Sequence, residues 1–314
     1  MEEYRRAKRV GMTAILLALV LRLWSELPDR NNQTEVEKTG QDVRFSSYLE
    51  VFSPDFVESS PPLLPEVRET PVPSFSDPEA VDLYYAVNKD PDIASLLAKP
   101  LQWELYGEEP QVLILHTHAT ESYTQKGEPY AETSAWRTLD EAYNMLSVGS
   151  LVAEVLTQSG IPTLQDRTLH DYPSYNGSYT HARKSIRKYL KEYPSIQLVL
   201  DLHRDASGTE SSQMRTHVSF RGQESAQLMV VLGTNHGDYE ENLSLGLKLH
   251  AQLEKQVPGI MRPLQLRSSR FNQDLSPGAL LIEVGAAGNS HAEALLAAQQ
   301  LAKAVIALAR GTAS

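Results

Sequence analysis

Three candidate metal ligands and one candidate acid–base residue follow or interrupt short apolar runs in the sequence. His118 and Glu121 lie three residues apart just after one run, and His203 follows another. Two histidines and one carboxylate suit a hydrolytic zinc ion, which keeps its fourth position open for water. Glu283 lies inside a third apolar run, and we predict that it acts as the general base and later as the general acid.

These side chains require a scaffold that brings the ends of separate segments together. From Glu108 onward, apolar runs alternate with amphipathic stretches, which is typical of an α/β domain. The pattern predicts a three-layer α/β/α sandwich around one mostly parallel sheet of about six strands, with the site at the carboxyl ends of the strands. The predicted strands are Val112–Leu115, Ile161–Leu164, Gln197–Leu202, Arg215–Phe220, Leu228–Gly233, Leu264–Leu266 and Ala279–Val284, and the predicted helices are Asp140–Ser159, Ser178–Glu192, Tyr239–Gln256 and His291–Arg310.

Composition excludes several other kinds of site. The 314 residues carry a net charge of -11, which argues against a protein held to nucleic acid by phosphate neutralisation. The sequence contains no cysteine, so disulfides, thiol nucleophiles, cysteine-ligated zinc and iron–sulfur clusters are excluded. A catalytic metal must therefore be held by His, Asp or Glu.

The charge divides the chain into three segments. Residues 1–27 have a net charge of +2, residues 28–107 a net charge of -9 and residues 108–314 a net charge of -4. The middle segment also contains 10 of the 18 prolines. We predict that residues 28–107 form an acidic, mostly disordered linker with short helices after residue 76, one ending near Val87 and one over Ile93–Ala98. Residues 108–314 are predicted to form the catalytic domain.

The first segment has the pattern of a membrane anchor. A basic cluster precedes the apolar run Val10–Leu21, and a spanning helix needs about 20 apolar residues. Snorkelling of Arg22 and an interfacial Trp24 extend the run to roughly residues 7–25. No small-x-small cleavage site follows, so we favour an uncleaved signal anchor over a cleaved signal peptide, with a cytoplasmic N-terminus and an extracytoplasmic remainder.

Five ordered motifs in the predicted catalytic domain resemble one known family. They match the stage II sporulation protein P family from about Val112 to the end of the last helix. The motifs are His116–Tyr123, Arg137–Asp140 with Asn144 and Gly149 downstream, His170–Tyr179, Tyr193–Ile196 and Asp201–Ala206.

The resemblance implies a function as well as a fold. It implies a membrane-anchored, zinc-dependent N-acetylmuramoyl-L-alanine amidase that cleaves peptidoglycan, and also stem-peptide cross-links, during engulfment of the forespore. The implied partners are stage II sporulation proteins D and M, and the implied fold is that of zinc amidases and carboxypeptidases. The late-strand glutamate of that fold maps onto Glu283.

The metal ligands map less uniformly onto the family pattern. His203 maps directly, and His118 is favoured over His116 because it completes the His-x-x-Glu spacing beyond the strand. His116 remains the alternative ligand, or a residue that holds the ligand in place. Amidases of this fold often take the carboxylate from the start of the first helix, so Asp140 remains an alternative to Glu121.

Two other classes of function stay open at this point. One is an exported metallohydrolase with another substrate, such as a carboxypeptidase, for which Arg204 is the candidate to bind a substrate carboxylate. The other is an inactive wall-binding scaffold. Retention of every candidate ligand argues against the scaffold, because a binding module does not need Glu283 beside a metal.

Overall fold

A computed structural model describes residues 83–85, 87–101, 103–123, 136–206, 208–209 and 212–312. The predicted signal anchor over residues 1–27 and most of the predicted linker lie outside these residues. The division of the chain into anchor, linker and catalytic domain therefore stays a prediction.

The architecture is a seven-stranded sheet with helices on both faces, which confirms the predicted three-layer sandwich. The strands lie in the order β1-β10-β9-β11-β4-β2-β3. Every neighbouring pair is parallel except β9 and β11, which are antiparallel. The seven strands are β1 (Leu83–Tyr85), β2 (Val112–Leu115), β3 (Thr163–Gln165), β4 (Leu198–Asp205), β9 (Leu228–Gly233), β10 (Leu264–Arg267) and β11 (Ala279–Ala286).

Five helices cover the sheet unequally. Apolar residues of α1, α2, α4 and α5 pack together with alternate residues of the strands in one large core. We call this side of the sheet the three-helix face, after its long helices α2, α4 and α5. On the opposite face, α3 packs on β2 and β4, and Phe271 covers part of β9 and β11. We call this the α3 face. The helices are α1 (Ile93–Ala98), α2 (Met145–Gln158), α3 (Ser178–Glu192), α4 (Tyr239–Gln256) and α5 (His291–Thr312).

Helix α2 begins later than its periodicity predicts. Asn144 adopts an extended conformation and its side chain accepts a hydrogen bond from the backbone N–H of Leu146. This is an N-cap, so the helix begins at Met145 rather than at Asp140. The later start leaves residues 136–144 as a loop beside the carboxyl end of β2.

The sheet also includes a strand that precedes Glu108, the predicted start of the catalytic domain, in the sequence. β1 pairs in parallel with β10, with Leu83 opposite Leu264. A helix ending near Val87 was predicted here and is wrong for residues 83–85, because pairing with the sheet edge overrides the weak local preference. The second predicted helix, Ile93–Ala98, is present as α1, and Asp92 caps its start.

One predicted strand lies outside the main sheet. The segment predicted as Arg215–Phe220 forms β7 (His217–Phe220), which pairs with β8 (Gln223–Ala226) in a separate hairpin. A second small hairpin pairs β5 (Gly208–Thr209) with β6 (Ser212–Gln213).

Helix α5 is the one described helix that is long and apolar enough to cross a membrane. However, 67% of its most apolar window is buried inside the molecule, as expected of a helix that packs in the core.

Candidate active site

The candidate residues meet at one edge of the sheet. β2, β4 and β11 are neighbours and run in the same direction, so the loop after β2 and the last residues of β4 and β11 come together. Glu283 pairs in register with His203. Because strand residues alternate between faces, both side chains lie on the α3 face.

Glu283 has the environment of a proton-transfer residue. The side chain is partly exposed, but its Oε2 is buried and has no hydrogen-bond partner among the described residues. Burial raises the pKa of this carboxyl to about 8, against the attraction of the nearby His203. A carboxyl with a pKa near neutrality can accept a proton and return it.

His118 lies in the loop after β2 and is buried. Its ring stacks on Tyr175, with the centroids 4.5 Å apart, and meets the ring of His203 edge-on at 5.2 Å. Burial lowers the pKa of His118 to about 4, so the imidazole is neutral at physiological pH. Its buried Nδ1 has no hydrogen-bond partner among the described residues. A neutral ring with a free nitrogen is the form of histidine that binds metals.

Glu121 is a buried carboxylate in a positively charged setting. Its Oε2 accepts a hydrogen bond from the backbone N–H of Arg204 at 3.2 Å, and its Oε1 accepts one from Nη2 of Arg137 at 3.3 Å. Burial opposes ionisation, but the charges of Arg204 and His203 outweigh it and hold the pKa of Glu121 well below its usual range. Glu121 is therefore ionised.

His203 lies between two carboxylates. Its Nδ1 is 3.4 Å from Oε2 of Glu121, and its Nε2 is 3.0 Å from Oδ1 of Asp201. The second contact lacks hydrogen-bond geometry, so Nε2 is a buried nitrogen without a hydrogen-bond partner in the described part of the chain. Burial opposes charge on this ring, but the two carboxylates outweigh it and raise the pKa of His203 well above its ordinary value.

Asp201 is held by the loop after β2. It accepts hydrogen bonds from the backbone N–H and the hydroxyl of Thr117, at 2.8 and 2.6 Å. This pair ties the end of β2 to β4 directly beneath His203.

The structure separates the two histidines that compete for the ligand role. His116 is buried, its Nδ1 lies 3.1 Å from the carbonyl oxygen of Leu202, and its Nε2 lies 3.0 Å from Nε2 of Gln165. Both ring nitrogens are engaged by protein, so His116 braces β2 against β4 and β3. His118 has the nitrogen that remains open.

The two competing carboxylates also have different positions. Asp140 is exposed and accepts a hydrogen bond from the backbone N–H of Ala142. Its position ahead of the capped start of α2 keeps it in the loop, whereas Glu121 contacts His203 directly.

Arg204 does not have the position predicted for it. Its side chain is only 1% exposed, and its guanidinium donates to the carbonyl oxygens of Ser122 and Trp136. It therefore fastens the loop segments around residues 122 and 136 rather than facing a substrate.

Arg137, Tyr175 and Tyr179 are site residues that the sequence prediction missed. Arg137 forms an ion pair with Asp171 at 2.5 Å and lies over the exposed ring of Tyr175. Tyr179, in the first turn of α3, lies 5.6 Å from His118 between ring centroids. All three belong to motifs that carried the family resemblance, and this was the only signal in the sequence.

The residues at the site fit a zinc ion by type. Zinc accepts imidazole nitrogens and carboxylate oxygens, and the site offers two histidines with unsatisfied buried nitrogens and one ionised carboxylate. His203 must release the proton that its two carboxylate neighbours stabilise before it can bind the metal. As placed, no three His, Asp or Glu side chains in the described residues are close enough together to hold a metal. Metal binding therefore requires the rings of His118 and His203 to converge.

The chain resembles proteins of known families. The sequence model of the family Stage II sporulation protein P matches residues 28–306. The chain is 29% identical over 211 residues to Stage II sporulation protein P of Bacillus subtilis (strain 168), a match that covers 62% of this chain and 50% of that protein. The chain thus spans about half the length of this curated relative.

Solved structures give a weaker likeness. The N-acetylmuramoyl-L-alanine amidase AmiC2 of Nostoc punctiforme aligns with 66% of this chain and 97% of its own at 15% identity, with a TM-score of 0.36. The CwlD amidase of Clostridioides difficile, solved in complex with the GerS lipoprotein, aligns with 63% of this chain and 98% of its own at 13% identity, with a TM-score of 0.39.

Proposed function

The chain belongs to the stage II sporulation protein P family, and from this premise we propose that it is a zinc-dependent peptidoglycan hydrolase that acts in sporulation. The proposed reaction is hydrolysis of the amide between N-acetylmuramic acid and the L-alanine of the stem peptide. Cleavage of stem-peptide cross-links is a proposed second activity of the same site.

The observation that carries this proposal is the environment of Glu283. It is a strand residue next to His203, and its buried Oε2 has no partner among the described residues. Burying a carboxyl oxygen without a partner costs stability, and carboxyls perturbed in this way are concentrated at functional sites. Hydrolysis of an amide needs a group that takes a proton from water and gives one to the leaving amine.

The proposed zinc ligands are His118, Glu121 and His203. Zinc supplies a Lewis acid that makes a water molecule more acidic and polarises the carbonyl of the amide. Thr117 holds Asp201 beside His203, which supports the orientation of that ring. His118 is supported in the same way by its stacking on Tyr175.

Glu283 then moves the proton. Its carboxylate accepts a proton from the attacking water as the water oxygen bonds to the amide carbon. The same carboxyl gives that proton to the nitrogen of L-alanine as the C–N bond breaks. The products are a free carboxylate on the lactyl group and a free amino group on the stem peptide. Burial raises the pKa of Glu283 above that of an ordinary carboxyl, which strengthens it as a base toward the attacking water.

The remaining parts of the chain serve localisation in this proposal. Residues 1–27 form a signal anchor with a cytoplasmic N-terminus, and the predicted linker of residues 28–107, whose last part includes β1 and α1 of the sandwich, connects it to the extracytoplasmic domain of residues 108–314. The basic and apolar pattern of residues 1–27 supports the anchor. The proposed partners at the engulfing membrane are stage II sporulation proteins D and M.

The test is product analysis on intact peptidoglycan. The full chain, purified in detergent, is incubated with peptidoglycan in the presence of zinc or of a chelator, and the products are identified by mass spectrometry. We expect release of stem peptides with a free L-alanine amino group, abolished by the chelator and restored by zinc. Release that resists the chelator would contradict the zinc proposal, and products cut only in the glycan would contradict the amidase proposal.

A further inference from the structure

A cavity of about 350 Å³ lies beside the candidate active site on the α3 face. Its walls are Tyr179, Thr180 and Arg183 of α3 and residues 269–272 of the loop between β10 and β11. Neither the proposed ligands nor Glu283 line this cavity. It therefore has no role in the chemical step described above.

Tyr179 connects the cavity to the candidate active site. Its ring lines the cavity, lies 5.6 Å from the ring of His118 and lies 6.4 Å from the ring of His203. The loop wall of the cavity is also connected to the candidate active site. Phe271 in this wall packs against the apolar cluster that contains Leu281. Leu281 precedes Glu283 by two residues on the same face of β11. A substrate bound at the active site can extend past Tyr179 into the cavity.

The loop wall has a fixed shape. Phe271 and Asn272 both have left-handed backbone conformations, with φ of 48° and 58°, which are strained for residues other than glycine. The side chain of Asn272 donates to the carbonyl oxygen of Tyr179 at 2.9 Å. The side chain of Gln273 donates to the carbonyl oxygen of Val231 at 2.8 Å. The cavity is thus built before any ligand arrives.

The charge of the walls favours an anion. Arg183 is held by Asp274 through two hydrogen bonds of 2.8 and 2.7 Å, so its charge is largely compensated. Arg270 is exposed at the rim. Within the described residues its guanidinium forms no direct ion pair, and its charge acts on Asp274 only as a weaker addition to that of Arg183. In a protein with a net charge of -11, this rim is a local positive site beside two aromatic rings, Tyr179 and Phe271.

We propose that this cavity binds an acidic peptide, and that Arg270 binds one of its carboxylates. On the proposed function, on which this assignment rests, the peptide is the stem peptide that leaves when the amide is cleaved. A cavity of this volume holds a short peptide rather than a larger chain. The guanidinium fork suits a carboxylate, which neutral sugar rings do not offer.

The experiment measures binding without hydrolysis. The full chain in detergent, with chelator present, is titrated calorimetrically with the tripeptide L-Ala-γ-D-Glu-diaminopimelate and with the same tripeptide carrying amidated carboxylates. The variant Arg270→Gln removes the proposed contact. The matched control is Arg267→Gln, an exposed arginine of β10 that pairs with Gln265 and does not line the cavity. The variant Thr180→Trp fills the cavity from an exposed position on α3.

We expect Arg270→Gln to weaken binding of the acidic tripeptide about tenfold, the loss expected for one charged hydrogen bond. Arg267→Gln should bind like the unaltered chain, and Thr180→Trp should lose binding while its unfolding temperature is unchanged. The amidated tripeptide should bind weakly, and with the same affinity to both arginine variants. Equal affinity of Arg270→Gln and the unaltered chain for the acidic tripeptide would overturn the proposal. Tight binding of the peptide-free disaccharide that is lost in Thr180→Trp would also overturn the proposal.

The two proposals fail separately. If peptidoglycan is not cleaved but binding of the acidic tripeptide depends on Arg270, the cavity proposal stands and the amidase proposal fails. If Arg270→Gln releases stem peptides with an unchanged KM and binds the tripeptide normally, the amidase proposal stands and the cavity proposal fails.

Discussion

The two faces of the sheet use the same strands for different purposes. Leu200, Leu202 and Ile282 are buried in the large core on the three-helix face. The residues that alternate with them, Asp201, His203 and Glu283, are polar and lie on the α3 face. One strand therefore contributes both a core residue and a site residue at successive positions.

The difference lies in what covers each face. Helices α2, α4 and α5 exclude water from the three-helix face, which leaves few polar side chains against the strands. On the α3 face, one helix and a loop cover the strands less completely, and the side chain of Glu283 on β11 is partly exposed. The comparison predicts that substitutions on the two faces separate stability from activity.

The largest effect is expected on the α3 face, from Glu283→Gln. The amide keeps the shape of the side chain but cannot accept a proton from water, so the rate of amide hydrolysis should fall about 10³-fold. The unfolding temperature should be kept or raised, because a buried carboxyl without a partner is removed. Product release assays and calorimetry on the same sample measure both. Full activity of this variant would remove Glu283 from the mechanism.

The next effect is expected in the large core, from Leu200→Ala. Leu200 is fully buried on the three-helix face, and the substitution should cost about 3 kcal/mol of unfolding free energy. Activity per folded molecule should be unchanged at low temperature. The matched variant on the other face is Leu281→Ala, which should cost about 2 kcal/mol because its apolar cluster on the α3 face is much smaller than the large core. Urea unfolding gives both values, and a larger loss from Leu281→Ala would reverse the comparison.

A smaller effect on the three-helix face is expected from Gly149 of α2. A Cβ at this position would lie 2.3 Å from Nε2 of His116 and 2.7 Å from the side-chain nitrogen of Gln165. Gly149→Ala should therefore cost about 1–2 kcal/mol, despite the better helix propensity of alanine. Gly237→Ala, where no atom lies within 4 Å of the added Cβ, serves as the control and should be nearly neutral. Equal stability of the two variants would show that α2 does not pack closely against the ring of His116.

The last effect is expressed per pH unit and concerns acidification of the three-helix face. His291 is buried, with its Nε2 2.7 Å from the hydroxyl of Ser147, and burial lowers its pKa to about 4. The unfolded chain binds this proton near pH 6.5, so stability is fully present above pH 6.5 and is lost as pH falls toward 4. The loss is up to about 1.4 kcal/mol per pH unit. His291→Gln should show a slope smaller by that amount in urea unfolding between pH 7 and 5, and an identical slope would assign the acid sensitivity to other groups.

Much of the fold follows from the pattern of the sequence. Apolar runs such as Val112–Leu115 are long enough to identify buried strands, and the rule that sites form at strand ends brought His203 and Glu283 together correctly. Strand β1 has only three residues and follows no period, so its place at the sheet edge depends on pairing with β10. Nothing local to Leu83–Tyr85 indicates that contact.

The details of the site follow less from local pattern. His116 and His118 have the same side chain and differ by two positions, yet one is engaged by Leu202 and Gln165 and the other has an open nitrogen. Arg204 was named as the candidate to bind a substrate carboxylate if the chain is a carboxypeptidase-like metallohydrolase. Its burial depends on carbonyl groups of Ser122 and Trp136, which the fold brings from distant positions.

The position of β11 has a consequence for synthesis of the chain. Strands β4, β2 and β3 form one half of the sheet and β9, β10 and β1 form the other, and β11 is the strand that joins them. It spans residues 279–286, so it leaves the ribosome after every other strand of the sheet. Until then both halves keep an open edge and the large core is incomplete. Because Glu283 lies on this same strand, the proposed hydrolase acquires its proton-transfer residue only at the step that completes the sheet. A chain truncated before residue 279 therefore lacks both the strand that joins the two halves and the proposed proton-transfer residue.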